Sequence, residues 1–351
     1  MQLPMPRGPV SRAVLAALGD DAPLDVPGLL RRIGQATGDV LLDEDLQLAL
    51  WCAYELHYGG FAVVHPDTRG VTDAAGTWEW DPDLLRVRRA LETRTEERLR
   101  ELTRDAVAAA LRGPGDVAER VFAQTDASTG PSLSRFLQRE ATAEQFREAL
   151  VHRSIYQLKE ADPHTFVVPR VRGAAKVALV ELQFDEYGAG RPDRQHAAMY
   201  ADGMTGCGLD PRYGAYVDQV PAVTLAANNA ISLLCLHRRL RGAALGHLAA
   251  VEVTSSLPCR KYVQGLRRLD LSPAMVDYFD EHVEADAVHE QVATRDICAR
   301  LVADDPSLAE DVCFGVAVSL LTDELLAAHL LAAFREGRSS LRVLDPEGAV
   351  A

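Results

Sequence analysis

The sequence predicts an all-α protein, a bundle of roughly seven core helices preceded by a helical extension. Three observations carry this reading. Apolar residues recur at helical spacing through most of the chain, strand-period alternation is nearly absent, and Asp, Pro and Gly punctuate the periodic stretches as helix starts and stops. No repeat of 20 to 50 residues is visible.

In order, residues 1 to 25 are rich in Pro, Gly and Asp and are expected to form an extended arm. A helix is expected from Leu41, with Asp43 as N-cap, running to the stop at Gly59-Gly60. Glu55 and His57 are two apart and point to different sides, so they cannot grip one metal from a regular helix. Pro82 opens a charged, amphipathic helix reaching Leu111. The Ser/Thr/Gly break at 125–131 sets a boundary, giving an arm and helical extension over 1–130, a main domain over 131–340 and a tail over 341–351. Further helices are expected over Ser132–Lys159, Gly173–Tyr187, Val220–Arg241, Gly246–Ser256, Pro258–Leu269, Pro273–Val302 and Pro306–Arg335.

The 351 residues are enough for a substantial core, and the formal net charge of -14 argues against nucleic acid or anionic membrane as a main partner. No uninterrupted apolar run reaches membrane-span length, and the first residues lack the charged-then-apolar order of a signal peptide, so a cytoplasmic location is expected. The cysteines show no paired spacing, so reduced, mostly buried thiols are expected.

Chemistry concentrates in two constellations. In His282-Val283-Glu284-Ala285-Asp286-Ala287-Val288-His289, about 100° per residue puts Asp286 roughly 40° from His282 and His289 about 20° to the other side. Two imidazoles and a carboxylate on one face suit zinc, iron or manganese; taken alone, the same triplet also fits a solvated face of an acidic protein. The second constellation runs from Glu181 to His196 and turns on Glu186 and His196. A regular helix would separate these two, but Gly188, Gly190 and Pro192 allow it to unwind and bring them together; a plain helix-turn-helix is the competing reading. Glu160 ends a helix, and Glu252 stands in an otherwise apolar run where an ionised carboxylate is costly unless paired or metal-bound. Together Glu160, Glu186, His196, Glu252, His282, Asp286 and His289 offer more donors than one metal ion with an open position needs, and they suit two.

This order and spacing resembles the haem-oxygenase-like diiron oxidases and oxygenases, the iron-containing redox enzymes. The flanks Glu160-Ala161-Asp162-Pro163-His164-Thr165-Phe166 and Asp185-Glu186-Tyr187-Gly188 also resemble that family. The resemblance covers about 135 to 335 and fills all the expected ligand positions. It implies a seven-helix haem-oxygenase-like fold without haem, holding two Fe(II)/Fe(III) ions. It further implies O2 as co-substrate, an outside electron donor, and oxidation of a small molecule. The extension at 1–130 is similar to that of long-form members, among which amino-acid-modifying enzymes, including an azetidine-forming type, are the nearest analogy. N-oxygenation and fatty-acid or amino-acid C–C cleavage are the alternatives within the family. A substrate carboxylate would need a cation near the irons, for which Arg194 and Arg153 are candidates, although a surface ion pair also accounts for each. A homodimer through the N-terminal helices is a further expectation. A haem- or small-molecule-binding helical protein leaves the carboxylates unexplained, a thiol-dependent relative would instead be silenced by alkylation, and a ferritin-like bundle would carry Glu-x-x-His pairs that this chain lacks.

Overall fold

Asp25, Asp43, Asp116, Ser132 and Thr142 each set a side-chain oxygen on the free amides at a helix start, and those caps mark out much of the architecture. The computed structural model describes residues 1–343 apart from 21, 65–70, 128, 129 and 131, and describes no side chains for 63, 64, 71, 72 and 284–287. The chain forms two compact units, one of residues 1–101, 213–230 and 341–351, the other of 102–212 and 231–340.

In the first unit, α1 (Pro9–Asp20), α2 (Val26–Gln35) and α3 (Glu44–Glu55) are followed by a short hairpin of β1 (Ala62–Val64) and β2 (Val71–Asp73), then α4 (Ala75–Trp78) and the start of α5 (Pro82–Arg112). The hairpin is antiparallel, with Ala62 opposite Asp73 and Val64 opposite Val71. Residues 1–25 are therefore not an extended arm throughout. Val10, Val14, Ala17 and Leu18 give α1 a buried stripe, which the Pro, Gly and Asp around it conceal in the composition. Asp45, in the first turn of α3, accepts the amides of Val10 and Ser11 at 2.8 and 2.6 Å and so caps α1 across the packing. His57 is held between Glu79, at 2.9 Å, and Arg88.

The second unit contains the rest of α5, α6 (Val117–Asp126), α7 (Leu133–Arg139), α8 (Ala143–Gln157), α9 (Asp162–Thr165), α10 (Gly173–Glu186) and α11 (His196–Gly206). The end of α12 (Ala222–Leu236), α13 (Arg241–Arg268), α14 (Pro273–Gln291), a π-helical stretch at Val292–Ala299, α15 (Arg300–Asp304) and α16 (Ala309–Arg335) complete it. The units divide inside α5 and α12 instead of at residue 130, because an unbroken helix shows no composition change where the packing partner changes. Two helices also differ from expectation. The stretch 132–159 is two helices, since a Thr142/Gln145 capping box starts α8 afresh. Conversely, Pro258 lies inside α13 without breaking it: the lost amide is one of many, and buried residues on both sides hold the helix together.

The spine of this unit is α13, which packs against α16, α14, α7, α6 and the π-helical stretch. Against α16 the backbones nearly touch: a Cβ on Gly246 would lie 2.1 Å from the Val312 carbonyl oxygen, and one on Gly315 1.9 Å from that of Ala243. Residues Pro306–Arg335 include an 18-residue window of mean hydropathy 1.6, enough by length and composition to cross a membrane; interspersed polar residues keep it from being an unbroken apolar run. Half of that window is buried, and α16 packs along α13. All six cysteines are buried and free.

Candidate metal centre

Five segments of the second unit deliver six side chains. Glu160 follows the end of α8, just before Ala161, whose φ of 75° is a costly conformation for a residue with a Cβ. Glu186 is the last residue of α10 and His196 the first of α11. Between them Gly188, Ala189 and Gly190 have φ of 79°, 51° and 81°, so the helix ends, the chain doubles back, and a short 3-10 turn at Pro192–Arg194 leads into α11. A Cβ on Gly188 would stand 2.3 Å from the Arg191 carbonyl oxygen, so this turn needs glycine for space as well as for φ. The break puts His196 Nδ1 2.9 Å from Glu186 Oε2. Glu252 comes from mid α13, and His282 and His289 from α14.

All six are buried and fall into two groups, Glu160 with His196 and His282, and Glu186 with Glu252 and His289; within each, the donor atoms lie within 4.8 Å of one another. Glu186 joins the groups: its Oε2 faces His196, and its Oε1 lies 3.7 Å from His289 Nδ1. In the first group, Glu160 Oε2 is 3.6 Å from His282 Nε2 and 4.0 Å from His196 Nδ1, and the two imidazole rings are 4.4 Å apart. In the second, Glu252 Oε2 is 3.5 Å from His289 Nδ1.

Neighbours fix these orientations. Gln157 donates to Glu160 Oε1 at 3.0 Å and the Tyr278 hydroxyl to Oε2 at 2.9 Å. His282 Nδ1 donates to the Tyr278 carbonyl at 2.8 Å, which turns Nε2 inward. His289 Nε2 donates to Asp185 Oδ2 at 3.3 Å, which turns Nδ1 toward Glu186 and Glu252. A ring nitrogen committed outward and its partner aimed inward is how metal-binding histidines are usually held. Asp185, Gln157 and Tyr278 escaped the sequence analysis. Gln157 and Tyr278 sit three and four residues before Glu160 and His282, a helical spacing that offered a signal.

Electrostatics point the same way. Burial raises the Glu160 carboxyl, but His282, His196 and Tyr278 outweigh it and hold the group below its ordinary value. Burial lowers His196, yet Glu186 and Glu160 bring it above the usual imidazole range. Burial also opposes the charged form of His289, and Glu252, Glu186 and Asp185 overcome it, pushing the ring up to about 9. Three carboxylates this deeply buried call for positive charge. His196 Nδ1 and His289 Nδ1 are buried without hydrogen bonds although carboxylate oxygens stand 2.9 and 3.5 Å away. Nitrogen and oxygen donor atoms gathered at short range without hydrogen-bond geometry fit a metal ion in place of those ring protons, and the carboxylate–imidazole mixture fits iron.

The other sequence candidates are placed as follows. The side chain of Asp286 lies outside the described residues. Arg194 pairs with Glu281, next to His282, and so ties the turn before His196 to α14. Arg153 donates to the Tyr262 hydroxyl at 2.7 Å with its guanidinium 4.8 Å from that ring's centre. Neither arginine is drawn into the two groups.

A family model described as iron-containing redox enzyme matches residues 147–324, a span that includes every one of these positions. No curated protein matches. Among solved structures, two crystal structures of a CADD-like protein of unknown function from Nostoc punctiforme PCC 73102 are similar. One is 16% identical, covers 69% of this chain and 97% of its own, and has a TM-score of 0.43; for the other the values are 15%, 72%, 99% and 0.44. The matched span is just over half of the chain, and its all-helical setting is the haem-oxygenase-like one, so the protein belongs to the iron-containing redox enzyme family.

Proposed function

We propose that this protein is an O2-dependent non-haem diiron oxidoreductase, in which Glu160, Glu186, His196, Glu252, His282, Asp286 and His289 hold two iron ions. The observation that carries this is Glu186, whose two oxygens face two separate carboxylate–histidine groups, the placement a bridging ligand requires. When bound, the iron pair supplies reduction of O2 using electrons from an outside donor.

The chain's own residues do the rest. Gln157 and Tyr278 hold Glu160 against reorientation, Asp185 holds His289, and burial of all six donors keeps bulk water from the reacting atoms. The proposed substrate is a small amino-acid-like molecule in a natural-product pathway, the outcome its desaturation, with C–N closure to an azetidine as the ring-forming variant. Two substrate hydrogens, with two electrons and two protons from the donor, balance reduction of O2 to two waters. Arg194, half-buried beside His196 and paired with a single half-exposed carboxylate, is the better candidate to receive a substrate carboxylate; Arg153 is already committed to Tyr262. The setting we propose is cytoplasmic, with a separate electron-donor protein and a homodimer as the partners.

Anaerobic loading with Fe(II), then O2 exposure with a panel of free amino acids, tests the reading. The expected result is a transient visible absorbance accelerated by one substrate, and a product lighter by two hydrogens. Iron binding without any O2-dependent substrate loss across amino acids, amines and fatty acids would count against it.

A further inference from the structure

Glu160 hangs from a turn of backbone that is itself gripped by α10. The next residue, Ala161, has φ of 75° and ψ of -31°, a conformation that persists only where the surroundings retain it. Two side chains at the end of α10 reach this turn. Gln183 donates its amide to the Ala161 carbonyl at 3.2 Å. The Tyr187 hydroxyl donates to Asp162 Oδ1 at 2.8 Å and lies 3.0 Å from Thr165 Oγ1. Glu186 stands between Gln183 and Tyr187 in the chain, so the segment that presents the carboxylate facing both groups also holds the two residues that follow Glu160.

Hydrogen-bond satisfaction does not explain Gln183. The Ala161 carbonyl already accepts the Thr165 amide at 3.1 Å and would keep that donor without it. Gln183 is buried, and its Oε1 has no hydrogen-bond partner. A buried amide with one end unmet costs stability, and methionine, of similar length and shape, would avoid that cost. What methionine could not do is hold the Ala161 carbonyl from α10. Gln157 and Tyr278 stop the Glu160 carboxylate from rotating, whereas Gln183 and Tyr187 fix the backbone that carries it.

We infer that Gln183 and Tyr187 are positioning residues that set the span between the two metal positions. They fasten the Glu160 turn to the end of α10, so that Glu160 meets His196 and His282 at a fixed place relative to Glu186. The inference rests on the two-metal reading above and extends it to side chains outside both groups of donors.

Anaerobic titration calorimetry of the metal-free full-length chain with Mn(II), which suits the same donors, tests it. The wild type is expected to take up a pair of Mn(II) ions. Glu252→Gln isolates the position at Glu160, His196 and His282, and Glu160→Gln isolates the one at Glu186, Glu252 and His289. Gln183→Met should weaken Mn(II) binding roughly tenfold in the first background and leave it within about twofold in the second, and Tyr187→Phe should do the same. Glycine needs no support at φ of 75°, so Ala161→Gly added to Gln183→Met should restore most of the lost affinity, a recovery that a packing defect would not show. Circular dichroism melts confirm that each variant is folded, and Gln183→Leu replaces Gln183→Met if the latter is not. A wild type that binds a single Mn(II) or none overturns the two-metal reading and this inference with it. A pair in the wild type, combined with unchanged affinity in the first background, equal loss in both backgrounds, or no recovery with Ala161→Gly, overturns the inference alone.

Discussion

Gly188 offers the sharpest test of how the centre is assembled, because Gly190 is a built-in control. Both have strongly positive φ, 79° and 81°, so alanine at either position incurs the same left-handed penalty, roughly 1–2 kcal/mol. They differ in what a Cβ meets. At Gly190 the nearest atom is the Phe184 ring at 3.9 Å, an ordinary contact, whereas at Gly188 it is backbone: Arg191 O at 2.3 Å, Arg194 C at 2.6 Å and Gln195 N at 2.6 Å. Backbone cannot rotate aside, so the whole turn must open, for a further ~1–3 kcal/mol. Gly190→Ala should therefore lower unfolding free energy by about 1–2 kcal/mol and leave iron content unchanged. Gly188→Ala should lower it by about 2–5 kcal/mol and pull His196 away from Glu186, with a fall in bound iron. Urea unfolding and metal analysis of both variants decide the matter. If they behave alike, the turn does not place His196 in the way described.

Removing the carboxylate that holds His289, by Asp185→Ala, should weaken iron binding roughly ten- to hundredfold with helical content unchanged, as read by metal-buffered titration. Tyr278→Phe leaves Glu160 one donor short and should cost about 1–3 kcal/mol in urea unfolding, together with looser iron binding. Acid should destabilise the fold well before the carboxylates titrate, because burial holds His152 and His164 down to about 3 and His247 to about 4, against 6.5 in the unfolded chain. These folded values are depressed, so the contribution is complete above pH 6.5 and is lost as pH falls from there toward about 3. With about three protons taken up on unfolding, the unfolding free energy from urea titrations between pH 6 and 4 should drop by up to ~4 kcal/mol per pH unit; a flat profile over that range contradicts the burial of the three rings.

Much of this was legible in the chain because helices advertise themselves locally. Asp43 as an N-cap and Pro82 as a helix opener were readable from neighbours alone, and the Gly188–Pro192 stretch was visible as a place where a helix could unwind or turn. Glu252 stood out because a carboxylate among alanines and valines needs a reason. What escaped depended on tertiary structure. The burial of α1 against α3 overrides a loop-like composition, α13 carries Pro258 because its flanks are packed, and the unit boundary inside α5 leaves no trace in sequence. For Arg153 and Arg194 the chain left a substrate carboxylate and a surface ion pair both open, and only the fold names the neighbours, Tyr262 and Glu281. Asp185 was in plain view beside Glu186, but its role exists only once α14 brings His289 alongside.

The central claim is that Glu186 stands between two metal positions. Low-temperature Mössbauer and electron paramagnetic resonance spectra of the chain loaded with 57Fe test it most directly. The account predicts two irons per chain that are magnetically coupled, with the coupling lost in Glu186→Ala. One iron per chain, or two that remain uncoupled in the wild type, contradicts it.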